Sequence, residues 1–334
     1  MSIHADAYKQ TLRLHVATAL DVPLLVDPVN TGETRAARLG DYQAAFHPPR
    51  FVGAGETTQV EPPLAFASIP PAWASEAGWG RVWHGGTTGA VAAFGFTIEL
   101  GAPSPERDLV AQLKSLCVSW RNSFCRLALL LLNQPLDLTD PAPGLVNHPG
   151  MRVLAWIEAT GARSRTDSVG GPIVVHVPSD SIVSELRADR NELDRIVALV
   201  NRNHEVPIAV ELLAAALLAI QRNKLRAAII DAASAAESVL TQSLELAHDH
   251  SLTLGRLVSK AAAAGLPLPT DLRAVLVDPR NDAVHRGVSP SRATALRAAG
   301  IVEDLVASSF PEYAKNRQLA CTSRPARHDL LLIS

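Results

Sequence analysis

The chain has 334 residues, 47% of them hydrophobic and 19% charged, with a formal net charge of -2. That balance is enough to build real cores and excludes disorder as the overall state. It also excludes a global basic field, so any nucleic-acid contact must come from a local site.

The length makes two domains the simplest expectation. The start, MSIHADAYKQ, has neither the basic residues nor the apolar run of a signal peptide. The longest apolar runs, 127–132 and 208–220, are shorter than the ~20 residues a membrane span needs. Three cysteines, Cys117, Cys125 and Cys321, form no CxxC pair. Such a sparse set fits a reducing compartment, so the expectation is a cytoplasmic protein without membrane contact. Cys117 and Cys125 lie on one apolar stretch and read as core thiols.

Residues 1–182 read as a β-rich α/β domain, a sensor or regulatory unit. TLRLHVA (11–17) alternates, and VPLLVD (22–27) is a short apolar run. GAVAAFGFTIEL (89–100) is the clearest strand, and RVLAWIEA (152–159) and PIVVHVP (172–178) are further ones. Residues 106–134 carry apolar positions at helical spacing. Pro-rich loops at 61–74 and 134–150 punctuate the region, and 161–171 has loop composition.

Residues 183–312 read as all helical, and 313–334 as a polar tail with an apolar tip. Helices are expected over 190–202, 206–223, 224–248, 251–265 and 289–309. The third of these is Ala-rich. Its Leu225, Ile229, Ala233, Ala236, Leu240 and Leu244 form a core-facing stripe, and the small side chains allow close helix approach. The fold class expected is therefore α+β, a β-rich domain followed by a helical bundle.

Near the end of the bundle stands DPRNDAVHRG (278–287). Asp278 is a good N-cap and Pro279 a favoured first helical residue, which would place Arg280 and Asn281 in a first turn with free backbone N–H groups. His285 shares a face with Asn281. An Arg beside a His suits phosphodiester chemistry. Histidine moves protons near neutrality, arginine stabilises charge on phosphorus, and RNA brings its own 2′-OH nucleophile. By spacing alone, R-x4-H is loose, and a helix start with an incidental Arg and a capping His accounts for it more often than a site does. Glu237 reads equally as a satisfied core carboxylate or as part of a site, with Asp231 nearly its equal.

Other signals are weak. GAGETT (53–58) and HGGTTGA (84–90) lack the GK[ST] ending of a phosphate loop and read as turns. His204–Glu205 lacks the second His of H-E-x-x-H, and His248, Asp249 and His250 read as a solvated helix end. No metal or cofactor is expected. The five tryptophans, all in the N-terminal half, read as core and loop anchors.

The C-terminal half resembles a HEPN domain over roughly residues 185–310. The resemblance rests on KLRAAIIDAASAAESVL, the spacing of the connecting helices, and RNDAVHRG. Arg280, Asn281 and His285 match the family's R-x4–6-H motif with its polar residue after the Arg. Several such families carry a Glu in the place of Glu237. The match is closest to HEPN domains behind separate N-terminal domains in bacterial defence proteins.

The resemblance implies a metal-independent endoribonuclease of an anti-phage or toxin type. Two protomers would pair, as a homodimer or higher oligomer, with both motifs facing one cleft. Arg280 would hold the scissile phosphate of an RNA substrate. His285 would assist 2′-OH attack or protonate the leaving oxygen. Asn281 would orient the site, and Glu237 would position Arg280 or His285. The N-terminal domain would then regulate, through a phage-derived or protein trigger. The Asp278–Pro279 pair departs from the family, where a continuous helix is more usual. The alternative is an inactive HEPN dimerisation or scaffold protein of a defence system.

Overall fold

The computed structural model describes residues 12–29, 32–67, 79–83, 88–101, 107–132, 134, 153–159, 162–165, 187–202, 206–246 and 252–314. The expected strand at 172–178, the loops at 134–150 and 161–171 (save Gln134 and residues 162–165), the tail from 315, and the His204–Glu205 and His248–His250 groups lie outside these residues. An N-terminal strand-rich unit precedes a helical one, so the architecture is α+β.

The strands are β1 (Leu12–Val26), β2 (Arg35–Leu39), β3 (Tyr42–His47), β4 (Arg50–Val52), β5 (Gln59–Glu61), β6 (Gly80–Trp83), β7 (Thr88–Leu100), β8 (Val153–Ala159) and β9 (Ala162–Arg165). The main sheet has the order β2-β3-β7-β1-β8-β9, with β6 also on β7, and its named pairings are antiparallel. β1 and β7 run together from Leu12↔Leu100 to Val26↔Gly89. The two short strands expected at 11–17 and 22–27 are thus one, interrupted by a register shift between Ala19 and Leu24. The irregularity leaves the Ala19 carbonyl off the ladder. The buried Arg121 side chain donates to that carbonyl at 2.8 Å, so a polar group beside the bulge is satisfied inside the fold.

Period-two alternation gives the sheet two different faces. Leu14, Val16, Phe94, Phe96, Ile98 and Phe46 lie on the buried one. They meet α1 (Arg107–Leu132), whose Trp120 and Phe124 pack on Phe46, Phe94 and Phe96 with ring centroids 4.8–6.2 Å apart. Cys117 and Cys125 are buried on this helix, and burial pushes the Cys117 thiol up, as expected of core thiols. The opposite face is divided. Ala17, Ala93, Leu154 and Trp156 are covered by Phe66 and Trp79, while the stretch from Arg13 to Gln43 is open.

The hairpin β2–β3 was not expected from the sequence. Its RAARL and YQAAFH are rich in Ala, a weak strand former, and the turn depends on Gly40 at φ 61°. GAGETT forms a tight turn, with Gly53 and Gly55 at positive φ, as its composition suggested.

The boundary between units falls later than 182/183. Residues through His204 cluster with the sheet, whereas Arg126–Asn133 cluster with the helices. The reason is specific pairing by α2 (Arg190–Asn201). Its Asp194 binds Arg35 at 2.5 Å, and its Asn201 amide bridges the Arg38 N–H and the Ala36 carbonyl of β2.

In the second unit, α3 (Ile208–Gln221) and α4 (Leu225–Ser243) pack closely. α4 also meets α5 (Leu254–Ala263), α6 (Arg273–Arg286) and α7 (Arg292–Ser309). Ala228, Ala232, Ala233, Ala235 and Ala236 are buried along α4, so small side chains let four neighbours share one central helix. Among the described residues, no helix is long and apolar enough to cross a membrane.

A Cβ on Gly95 would lie 2.4 Å from the Phe66 ring. That ring sits on the β7 backbone, so Gly95→Ala should cost about 1–3 kcal/mol, the usual range for overpacking. The sequence's tryptophans all lie in the N-terminal half, so fluorescence-monitored denaturation reports this unit. An unchanged midpoint would mean that Phe66 moves aside freely.

Candidate functional site

The motif does not begin a helix. Val277, Asp278, Asn281 and Asp282 all have right-handed helical dihedrals. α6 is one continuous helix from Arg273 to Arg286, with π turns at Arg273–Val277 and Asp282–Arg286 flanking Asp278–Asn281. The expected N-cap role of Asp278 and the free N–H groups beside Arg280 are therefore corrected. Pro279 sits inside the helix, where its ring and missing N–H would strain a regular α turn. The wide π turn just before it is a known way of accommodating such a break. The helix stops at Gly287, whose φ is 67°, with the Val288 N–H closing on the Asp282 carbonyl at 3.2 Å.

The π turn over 282–286 changes the geometry of the pair. In an ideal α-helix Arg280 and His285 would be ~140° apart. A π turn closes from i to i+5, which swings residues five apart towards a common face. Here the closure runs from the Asp282 carbonyl to the Gly287 N–H, so the helix is widened at His285, one turn beyond Arg280.

Glu237 and Arg280 come together from α4 and α6. Arg280 Nη2 lies 3.9 Å from Glu237 Oε1, and Arg280 Nη1 donates to Asn281 Oδ1 at 3.3 Å. Both side chains of the ion pair are about a quarter to a third exposed, at 26% and 30%. The guanidinium is therefore oriented by the carboxylate yet accessible to an anion. At 3.9 Å the contact is an ion pair, longer than a hydrogen bond, so N–H groups remain for a ligand. The His285 side chain is exposed and makes no hydrogen bond or ion pair among the described residues. Asp282 and Arg286 pair at 3.2 Å along the same helix. From α4, Arg226 donates to the Ala283 carbonyl at 2.9 Å and ties the motif-bearing turn to the central helix.

Burial pushes the Glu237 carboxyl up, and Arg280 and a hydrogen bond with the Leu254 backbone oppose it. Asp231, one and a half turns earlier on α4, is also raised by burial. Among the described residues it pairs with neither Arg280 nor His285, so of the two carboxylates Glu237 is the one that reaches the motif. Among the described residues no group of three or more His, Cys, Asp or Glu could hold a metal ion.

Comparisons with protein-family models, with curated proteins and with solved structures found no match to this chain.

A carboxyl raised by folding contributes most stability in its protonated form, and that contribution is lost as pH rises through the folded value. Asp231→Asn should therefore raise the melting temperature at neutral pH by a few degrees. The gain should vanish below about pH 4, where the unfolded carboxyl is also protonated. Glu237→Gln should gain less, because Arg280 and the Leu254 amide favour the ionised form. Melting curves across that pH range check both, and a gain that persists in acid would assign the effect to packing.

Proposed function

We propose that the helical unit is a HEPN-type, metal-independent endoribonuclease, and that the N-terminal unit regulates it in a defence or toxin role. One observation carries the reading. Glu237 holds a partly exposed Arg280 guanidinium on a continuous helix that also bears Asn281 and an exposed His285. A scaffold has no use for a cation ordered by a half-buried carboxylate and left open to solvent.

In this reading Arg280 binds a non-bridging phosphate oxygen and stabilises the charge that builds on phosphorus. A His285 imidazole takes the 2′-OH proton as the 2′-oxygen bonds to phosphorus. A protonated His285, from the same or a paired chain, gives a proton to the departing 5′-oxygen. The P–O5′ bond breaks, leaving a 2′,3′-cyclic phosphate and a 5′-hydroxyl. Asn281 orients Arg280. Val284 and Val288, apolar and 37% and 50% exposed, flank His285 and suit a pairing face that brings two motifs together. The near-neutral net charge accords with RNA held at a confined site.

The test is cleavage of RNA by purified protein in excess EDTA, repeated with a phage-infected lysate as trigger. Wild type should yield cyclic-phosphate ends. Arg280→Ala and His285→Ala should be slower by about 100-fold or more while folding alike. Equal activity, or equal inactivity under both conditions, overturns the reading. Growth arrest on expression that His285→Ala fails to relieve would argue for the scaffold role instead.

A further inference from the structure

The end of the helical unit beyond the motif carries two arginines that the sequence did not single out. The turn between α3 and α4 and the turn between α6 and α7 meet there, stitched by one side chain from each. Arg226, in the first turn of α4, donates through Nε to the Ala283 carbonyl in the last turn of α6 at 2.9 Å. Arg292, the first residue of α7, donates through Nη1 to the Ile220 carbonyl in the last turn of α3 at 2.8 Å. Carbonyls at a helix C-terminus gather partial negative charge, so both arginines act as caps.

Capping engages one nitrogen of each guanidinium, which has five N–H donors in a planar fork. Arg226 keeps its Nη1–Nη2 edge, and Arg292 keeps its Nε–Nη2 edge. Each edge is a pair of donors of the kind that takes a phosphate or carboxylate in two hydrogen bonds. Both residues are exposed, and neither pairs with a carboxylate among the described residues. Asp282, the acid in the last turn of α6, is matched by Arg286 at 3.2 Å. The caps also order both side chains before any ligand arrives, which lowers the entropy that binding must overcome.

Location selects among anions. Ala283 lies in the π turn that carries His285, about 4.5 Å along the helix axis from Arg280. Arg280 is thus anchored within α6, Arg226 at its last turn, and Arg292 at the start of the next helix. A spread of fixed cations that begins at the motif fits a polyanion with a repeating charge. The chain's formal net charge is -2, so such a ligand must be held at a local surface of this kind.

We propose that Arg226 and Arg292 form a backbone-binding surface for single-stranded RNA, gripping phosphates next to the one that Arg280 engages. The inference takes its choice of polyanion from the ribonuclease reading and adds residues outside the motif. A single strand fits better than a duplex, because the 2′-oxygen must swing into line with the P–O5′ bond and a stacked A-form helix resists that.

The experiment uses the full chain with His285→Ala, which should bind without cutting. Fluorescence anisotropy follows its binding to a labelled single-stranded RNA over a series of salt concentrations. Binding should weaken linearly on logarithmic axes as salt rises. Arg226→Gln and Arg292→Gln should each weaken it severalfold and flatten the slope by about 0.7, the loss of one phosphate contact on a single strand. Arg226→Lys should restore most of the slope, because the charge is what displaces counterions. Should Arg226→Gln fail to fold, Arg292→Gln decides. An unchanged slope in the folded variants, with only their melting temperatures lowered, would leave the arginines as caps and overturn the proposal. Tighter binding of polyglutamate than of RNA, or no saturable RNA binding, overturns it too. RNA held through both arginines by a chain that never cuts it supports this surface and sinks the ribonuclease reading. RNA cleavage at wild-type KM by both glutamine variants, made with His285 intact, does the reverse.

Discussion

The long antiparallel pairing of β1 with β7 is the constraint on which the N-terminal unit depends. It fixes which side of each strand faces α1. Because the period is two, Phe94, Phe96 and Ile98 all turn to one side, and Thr97 and Glu99 to the other. A one-residue slip would bury Thr97 and Glu99 against the helix and expose the phenylalanines. The same register that builds the aromatic core therefore assembles a hydrogen-bonded polar line, Glu158–His15–Thr97–His47–Thr34, on the far side.

That far side is itself split by packing. Phe66 sits directly on Gly95, where a side chain would not fit, and Trp79 and Trp156 extend the cover. Beyond Phe66 the cover ends, and buried imidazoles give way to an open cleft. His15 and His47 each contact Phe66 edge-on at 5.6 and 5.9 Å. The aromatic cover thus keeps the line dry at its centre and leaves only its ends wet. Low local dielectric makes such a line rigid, since an unmade hydrogen bond inside it would be costly.

The helical unit solves a different problem. Its central helix has neighbours on several sides, which only small residues permit, and the polar positions left over fall where α6 crosses. Glu237 is one of these. Its half-buried position raises its carboxyl, and Arg280 is the cation that reaches it. The ordering of Arg280 is thus a consequence of how α4 packs, rather than of the motif's own sequence.

Much of the layout was legible in the sequence. The strand at 89–100, the long helix at 106–134, the Ala-rich helix and the change from strands to helices all rest on periodicity and composition, which are local. Glu237 and Arg280 were both marked, on residue type and resemblance. The continuity of α6 was not legible, because Asp-Pro is a strong local start signal and only packing against α4 can override it. Nor was the β2–β3 hairpin, whose alanines carry little strand preference, or the assignment of α2 to the sheet, which hangs on the Arg35 and Asn201 contacts. The Glu158–His15–Thr97–His47–Thr34 line was invisible for the same reason. Its members lie up to 143 residues apart, and strand register alone brings them within hydrogen-bonding distance. The amino-acid pattern by itself determined which segments are strands and helices and which faces are apolar. The tertiary structure decided which polar groups meet, because that depends on register and helix crossing between segments distant in the chain.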